Sequence, residues 1–162
     1  MKIAASIGAL LLFAIVPAQA AEDESLARMA MCKDSWFDMQ TKDPAQLQKF
    51  GAHLRSEFSQ HGDDAFVVPN ASVSIAGLPV SQLFPNSVGM GVGFSVTVDA
   101  PFDQARRTIE KAFGKPLAKC ETGDGMRSCA SQVAEKRTLM LMAEDDPKAA
   151  KTLVGCYYFY EK

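Results

Sequence analysis

The sequence has few of the residues on which most enzyme and metal sites depend. It contains 2 histidines in 162 residues, and its histidines and cysteines show neither the HxxxH nor the CxxC spacing of a zinc site. It also lacks a basic excess, because 17 Lys and Arg face 19 Asp and Glu, a net charge of −2. A nucleic-acid binder needs a basic patch to neutralise phosphates. We therefore expect no metal site, no cofactor and no nucleic-acid partner.

The chain also lacks an apolar segment long enough to cross a membrane. Residues 3–16 are uncharged and mostly apolar, and residues 18–20 read Ala-Gln-Ala, the small-x-small form that signal peptidase cuts. We expect residues 1–20 to be a secretory signal peptide and residues 21–162 to be one domain, exported to the periplasm. The residue after the expected cut is alanine and not cysteine, so no lipid anchor is expected.

All four cysteines lie in the expected mature domain. An even number of cysteines in an exported protein indicates disulfides, and four cysteines allow three pairings. We favour Cys120–Cys129, because the turn-rich residues between them can bring two strands together. The remaining pair is then Cys32–Cys156. Oxidised cysteines cannot serve as nucleophiles.

The residue pattern predicts an α+β domain. Residues 23–41 predict one helix, with an apolar stripe of Met29, Cys32, Trp36 and Met39. A second helix is expected from the start signal Asp43-Pro44 to about residue 62. Residues 101–113 predict a third helix, with Gly114 as its stop. Residues 88–99 alternate as a strand does, and four more short strands are expected between residues 117 and 160. We expect a mostly antiparallel sheet of four to five strands, helices packed on one face and two amino-terminal helices.

Two segments predict an interaction surface. Residues 63–87 are rich in proline yet partly apolar, and we expect them to form a long irregular stretch with short β-like pieces at residues 66–68 and 73–75. A stretch of this length in a small domain is often functional. In the last strand, neighbouring aromatic residues must point to opposite faces, so one pair could meet a partner. The alternative is that residues 66–87 cover that pair as a second small core. The candidate partner-binding residues are Leu78, Val80, Leu83, Phe84, Tyr157, Tyr158, Phe159 and Tyr160.

No pattern selects a catalytic residue. The glycines of residues 89–93 run into a strand and not a helix, which favours close backbone approach over a phosphate loop. His53 and His61 lie on or just after the second helix, and no serine stands in a Gly-x-Ser-x-Gly elbow. Nothing selects a sugar-cleaving pair among the available carboxylates, which are Asp63, Asp64, Asp99, Asp103, Glu121 and Asp124.

In general profile the chain resembles the small exported immunity and inhibitor proteins of Gram-negative bacteria: a short signal peptide, one α+β domain, two disulfides and no catalytic set. The resemblance implies a non-enzymatic periplasmic protein that binds and neutralises a secreted toxin or hydrolase. Two alternatives remain open, a carrier or sensor of a small apolar ligand and a carboxylate-dependent hydrolase. A protruding aromatic patch would favour a protein partner, and a deep apolar cavity a ligand.

Overall fold

The computed structural model describes residues 20–60, 62, 65–85 and 92–158. Within these ranges the chain forms four helices and a ten-stranded, mostly antiparallel sheet. The helices are α1 (Glu24–Ala30), α2 (Trp36–Lys42), α3 (Pro44–Glu57) and α4 (Phe102–Phe113). The strands are β1 (Ala21–Glu22), β2 (Phe58–Gln60), β3 (Val67–Pro69), β4 (Val73–Ile75), β5 (Leu78–Phe84), β6 (Val92–Val98), β7 (Lys119–Gly123), β8 (Met126–Ala134), β9 (Arg137–Glu144) and β10 (Thr152–Tyr158).

The sheet runs in the order β1-β4-β5-β6-β10-β9-β8-β7, with β3 pairing to both β2 and β5. The short β1–β4 pair is parallel and the other recorded pairs are antiparallel. The α+β class and the antiparallel character are as expected. The expected four to five strands are too few, because five further strands, β1 to β5, join the sheet.

The hydrophobic core lies between the helices and one face of the central strands. Phe94, Cys156 and Leu139 are register partners across β6, β10 and β9, and each is at most 1% exposed. Phe50 of α3 reaches this row, with its ring centre 5.5 Å from that of Phe94. Ile109 of α4 joins the same buried cluster. The helices thus cover one face of the sheet.

The start and stop signals that the sequence gives for two helices are present. Asp43 precedes α3, and its carboxylate accepts a hydrogen bond from the Gln46 backbone N–H at 3.0 Å, while Pro44 takes the first helical position. Gly114 ends α4 with a left-handed φ of 86°. The predicted end of α3 near residue 62 is too late, because the chain leaves the helix at Glu57 and enters β2.

The single helix expected over residues 23–41 is instead two helices. Cys32 has a positive φ of 58°, which breaks the helical path after α1. The Arg28 carbonyl then accepts hydrogen bonds from the backbone N–H groups of Lys33 and Asp34, at 2.8 and 3.1 Å. Ser35 starts α2 by accepting a hydrogen bond from the Asp38 N–H. The expected pair of amino-terminal helices is therefore three.

Residues 63–87 are mostly strand where the structure describes them. β3 and β4 lie at or next to the predicted β-like pieces, whereas β5 forms where irregular chain was expected. Ile75 pairs with Leu78, and the two residues between them, Ala76 and Gly77, have φ values of 50° and 76°. Positive φ at both central positions defines a tight hairpin turn. Both of its amide groups donate to the Glu22 carboxylate, at 2.6 and 2.9 Å. The segment is therefore ordered by a side chain from the amino-terminal strand.

Candidate functional site

Both expected disulfides, Cys32–Cys156 and Cys120–Cys129, are present. The first joins the turn between α1 and α2 to the central strand β10, and its two residues are 6% and 0% exposed. This bond fixes the beginning of α2 beside the carboxyl-terminal end of β10.

An apolar cleft of about 220 Å³ opens where α2 begins and β10 ends. The rings of Phe37 and Tyr158 meet edge to face there, with centres 4.8 Å apart. The Trp36 backbone N–H donates to the Tyr158 hydroxyl oxygen at 3.3 Å, so the only polar group of the two rings has a hydrogen-bond partner. The cleft is lined by Trp36, Phe37, Pro85, Val92, Gly93, Phe94 and Tyr158.

The wall of the cleft rests directly on the hydrophobic core. Trp36 packs edge-on against Phe50, with ring centres 6.4 Å apart, and Phe50 in turn packs against Phe94. Aromatic contacts at these separations hold rings in defined orientations. The cleft is therefore preformed and does not depend on a partner to assemble it.

The rim of the cleft carries charges. Asp38 follows Phe37 on α2 and contacts Lys42 at 2.9 Å and Arg137 at 3.6 Å. The hydrogen bond from Lys42, with the positive charges of Lys42 and Arg137, lowers the pKa of the Asp38 carboxyl. Arg137 is the register partner of Tyr158 on the neighbouring strand. An apolar centre with a polar rim is the usual anatomy of a protein interface.

The size of the cleft limits what it can hold. Pockets that bury drug-sized ligands measure roughly 300–1,000 Å³, whereas this cleft measures about 220 Å³. Val92 at its edge is 45% exposed, so the cleft is open to the surface. These dimensions suit one large side chain of a partner better than an enclosed small molecule.

The structure puts most of the predicted partner-binding residues of β5 in the core. Leu78, Val80 and Leu83 are 3%, 5% and 0% exposed, because β5 pairs with β6 and turns these side chains toward the helices. Phe84 points to the opposite face and packs against Phe66, with ring centres 5.7 Å apart. The buried side chains are not accessible as partner contacts, and we do not assign them to an interface.

The aromatic residues of the last strand separate as the alternation predicts. Tyr158 faces the helices and lines the cleft, while Tyr157 lies on the other face and is 2% exposed. A Cβ added at Gly93 or Gly155 would come within 3.0 and 2.9 Å of the Tyr157 ring, so these glycines admit it. Burial raises the pKa of the Tyr157 hydroxyl. Phe159 and Tyr160 lie outside the described residues.

A histidine–carboxylate pair joins two elements near the amino terminus of the described chain. His53 Nε2 of α3 lies 2.7 Å from Asp23 Oδ2, and Asp23 also accepts from the Leu26 N–H and the Ser25 hydroxyl. Burial alone would raise the pKa of the Asp23 carboxyl, but these hydrogen bonds outweigh burial and lower it. Since Ser25 donates to Asp23, the serine–imidazole contact of a nucleophilic triad is not formed. The pair ties α1 to α3.

The carboxylates considered for hydrolysis do not converge on this pair. Asp99 contacts Lys151 at 3.7 Å, and Asp103 contacts Arg127 at 3.1 Å. Glu121 and Asp124 are exposed at the β7–β8 hairpin, and Asp63 and Asp64 lie outside the described residues. In the part of the chain that the structure describes, no group of three or more His, Cys, Asp or Glu could hold a metal ion.

The cleft contains residues that the sequence does not predict as a site, namely Trp36, Phe37, Pro85 and Val92. Helical spacing puts Trp36 on the apolar stripe of one long helix, but the break after α1 brings it to the end of β10. The available signal was Ser35 with Asp38 three residues later, a helix-start pattern inside the presumed helix.

No protein family, curated protein or solved structure matches this chain. Among the described residues, no helix is long and apolar enough to span a bilayer.

Proposed function

We propose that this protein acts in the periplasm as a non-enzymatic protein-binding protein, an immunity protein or inhibitor that neutralises a secreted toxin or hydrolase. The observation that carries the proposal is the preformed aromatic cleft at the start of α2, with charges on its rim. Interface hot spots are typically buried aromatic anchors that fill such pockets, surrounded by polar contacts that exclude water.

The cleft offers a socket for an apolar or aromatic side chain of the partner. Trp36, Phe37 and Tyr158 supply a rigid wall, since each is held by a ring contact or hydrogen bond. Asp38 and Arg137 at the rim can select the partner by charge, because complementary rim charges raise the association rate and exclude wrong partners.

The two disulfides support the compartment in this proposal. Bonds of this kind persist in oxidising compartments such as the bacterial periplasm and are rare in the cytosol. A periplasmic inhibitor must also survive without the cytosolic chaperones, and covalent cross-links between distant elements serve that need.

Differential capture tests the proposal with a matched pair of variants. Val92, 45% exposed at the cleft, and Met126, 42% exposed on β8 away from it, are the exposed large hydrophobic residues of the described chain. We expect wild type and Met126→Asp to retain from periplasm and culture supernatant a protein that Val92→Asp loses. With the captured protein purified, Val92→Asp should weaken Kd by about 30-fold or more, the effect of a hot-spot residue.

The alternative function, a carrier of a small apolar ligand, gives a different result with the same variants. A small apolar ligand would appear as a non-covalent adduct in native mass spectrometry of the purified domain. Val92→Asp would then remove the adduct, while the set of captured proteins would be the same as for wild type. If both variants bind the captured protein as wild type does, the cleft is not the binding site.

A further inference from the structure

The two disulfides differ sharply in their accessibility to other molecules. Cys32 and Cys156 are both buried, at 6% and 0% exposure. In the other bond Cys129 is 1% exposed and belongs to the hydrophobic core, whereas Cys120 is exposed. An incoming thiolate must reach a sulfur atom to attack it. Cys120 is the one exposed residue of the two disulfides, so an external thiolate can approach that bond from the side of Cys120.

Cys120 lies at the edge of the sheet, so the Cys120–Cys129 bond can open without disturbing the core. Cys120 lies on β7, the last strand in the sheet order, and it is the register partner of Cys129 on β8. Every residue of β7 is exposed, so the strand contributes no side chain to the core. On its other side β8 pairs with β9 over most of its length, which holds Cys129 in place when β7 loosens.

We propose that Cys120–Cys129 is a site of reversible thiol–disulfide exchange with an external thiol. The external thiolate attacks Sγ of Cys120, and a mixed disulfide forms there as the Cys120–Cys129 bond breaks. The electron pair leaves on Sγ of Cys129, which takes up a proton. In the reverse direction the Cys129 thiolate attacks Sγ of Cys120, expels the external thiolate and restores the bond. Cys120 is the acceptor of the external thiol, and buried Cys129 is the resolving cysteine.

Two sources could supply that thiol, a small thiol such as glutathione or the reactive cysteine of a dithiol oxidoreductase, and both use the same chemistry. With a dithiol the second cysteine completes the reduction, leaving two thiols on this protein and a disulfide on the reductant. The consequence is local: β7 loses its covalent tie to β8, while Cys32–Cys156 continues to hold α1, α2 and β10 together.

The order of reduction tests the proposal on the unmodified protein. Native protein is incubated with reduced glutathione or, separately, with a reduced protein of the thioredoxin class, then quenched by alkylation at intervals and mapped by mass spectrometry. We expect Cys120 and Cys129 to be alkylated about tenfold or more faster than Cys32 and Cys156. Reaction with glutathione alone assigns a small thiol as the reductant, and reaction with the dithiol protein alone assigns an oxidoreductase. Simultaneous opening of both bonds, earlier opening of Cys32–Cys156, or no reaction with either reductant overturns the proposal.

Two single variants test the roles of the cysteines. Cys129→Ala and Cys120→Ala remove the same disulfide, so the loss of that cross-link is common to both. With oxidised glutathione, Cys129→Ala should trap a stable adduct at Cys120, whereas the buried thiol of Cys120→Ala should react about tenfold or more slowly. Equal rates of adduct formation would contradict the assignment of Cys120 as the acceptor.

Discussion

Removal of the Cys32–Cys156 bond should cost far more stability than removal of Cys120–Cys129. The two bonds span 124 and 9 residues of sequence. Loop-closure entropy then gives about 5 kcal/mol for the long loop and roughly 2.6 kcal/mol for the short one. The Cys32→Ala/Cys156→Ala double variant should therefore lose about 2.4 kcal/mol more than Cys120→Ala/Cys129→Ala, which is its control.

The packing of the two pairs increases that difference. Both residues of the long-range pair lie in the core, so replacing them leaves unfilled space at two positions. In the other pair only Cys129 is buried, and exposed Cys120 leaves little space. For a domain of this size a loss of about 5 kcal/mol lowers Tm by roughly 10–20 °C. Urea unfolding of both double variants and of wild type, followed by far-UV circular dichroism, measures the free energy of unfolding of each protein. Equal losses in the two variants, or a larger loss without Cys120–Cys129, would refute the reasoning.

Two further predictions concern the residues that follow the expected signal peptide. Glu22→Ala should lower the free energy of unfolding by about 1–2 kcal/mol in urea titrations, because the Glu22 carboxylate accepts hydrogen bonds from the amides of Ala76 and Gly77. Glu24→Ala, at an exposed helix start, is the control. An equal loss in both variants would contradict the role of Glu22. Because the pKa of Asp23 is lowered in the folded state, the folded protein binds fewer protons near pH 4 than the unfolded protein does. The stability that the Asp23 carboxylate contributes is therefore present above the unfolded pKa and is lost as pH falls through the folded pKa. Between pH 5.5 and pH 3, Asp23→Asn should therefore lose less stability than wild type, and parallel losses would count against the hydrogen bonds as the cause.

Local signals in the sequence predicted the elements that are defined by neighbouring residues. Asp43 before Pro44, and Gly114 after an amphipathic run, mark α3 and α4 because caps act within a few residues. The Cys120–Cys129 pairing followed from the turn between them, and the other pairing then followed by elimination. Each of these inferences needed only contacts that are short in sequence.

Residues 66–84 could be predicted only in part. Short β-like pieces were expected close to β3 and β4, but β5 and the hairpin turn before it were not expected. Ala76-Gly77 is not among the usual two-residue hairpin turns, and its amides are held by Glu22, more than fifty residues earlier. Prolines suggested irregular structure, yet Pro79 is tolerated as an exposed strand residue. The order of this segment comes from a long-range contact, which composition does not encode.

The aromatic residues of the last strand show most clearly what the alternation of side chains can and cannot predict. Period 2 requires Tyr157 and Tyr158 to face opposite ways, and they do. The alternation does not predict which face of the strand is buried, because the elements that pack on it are distant in sequence. Cys32–Cys156 holds the start of α2 against this strand, and that contact makes Tyr158 the wall of a cleft instead of a free surface residue. The candidate site is thus a product of one helix break and one disulfide acting together, and a variant that disrupts either should alter the cleft before it alters the sheet.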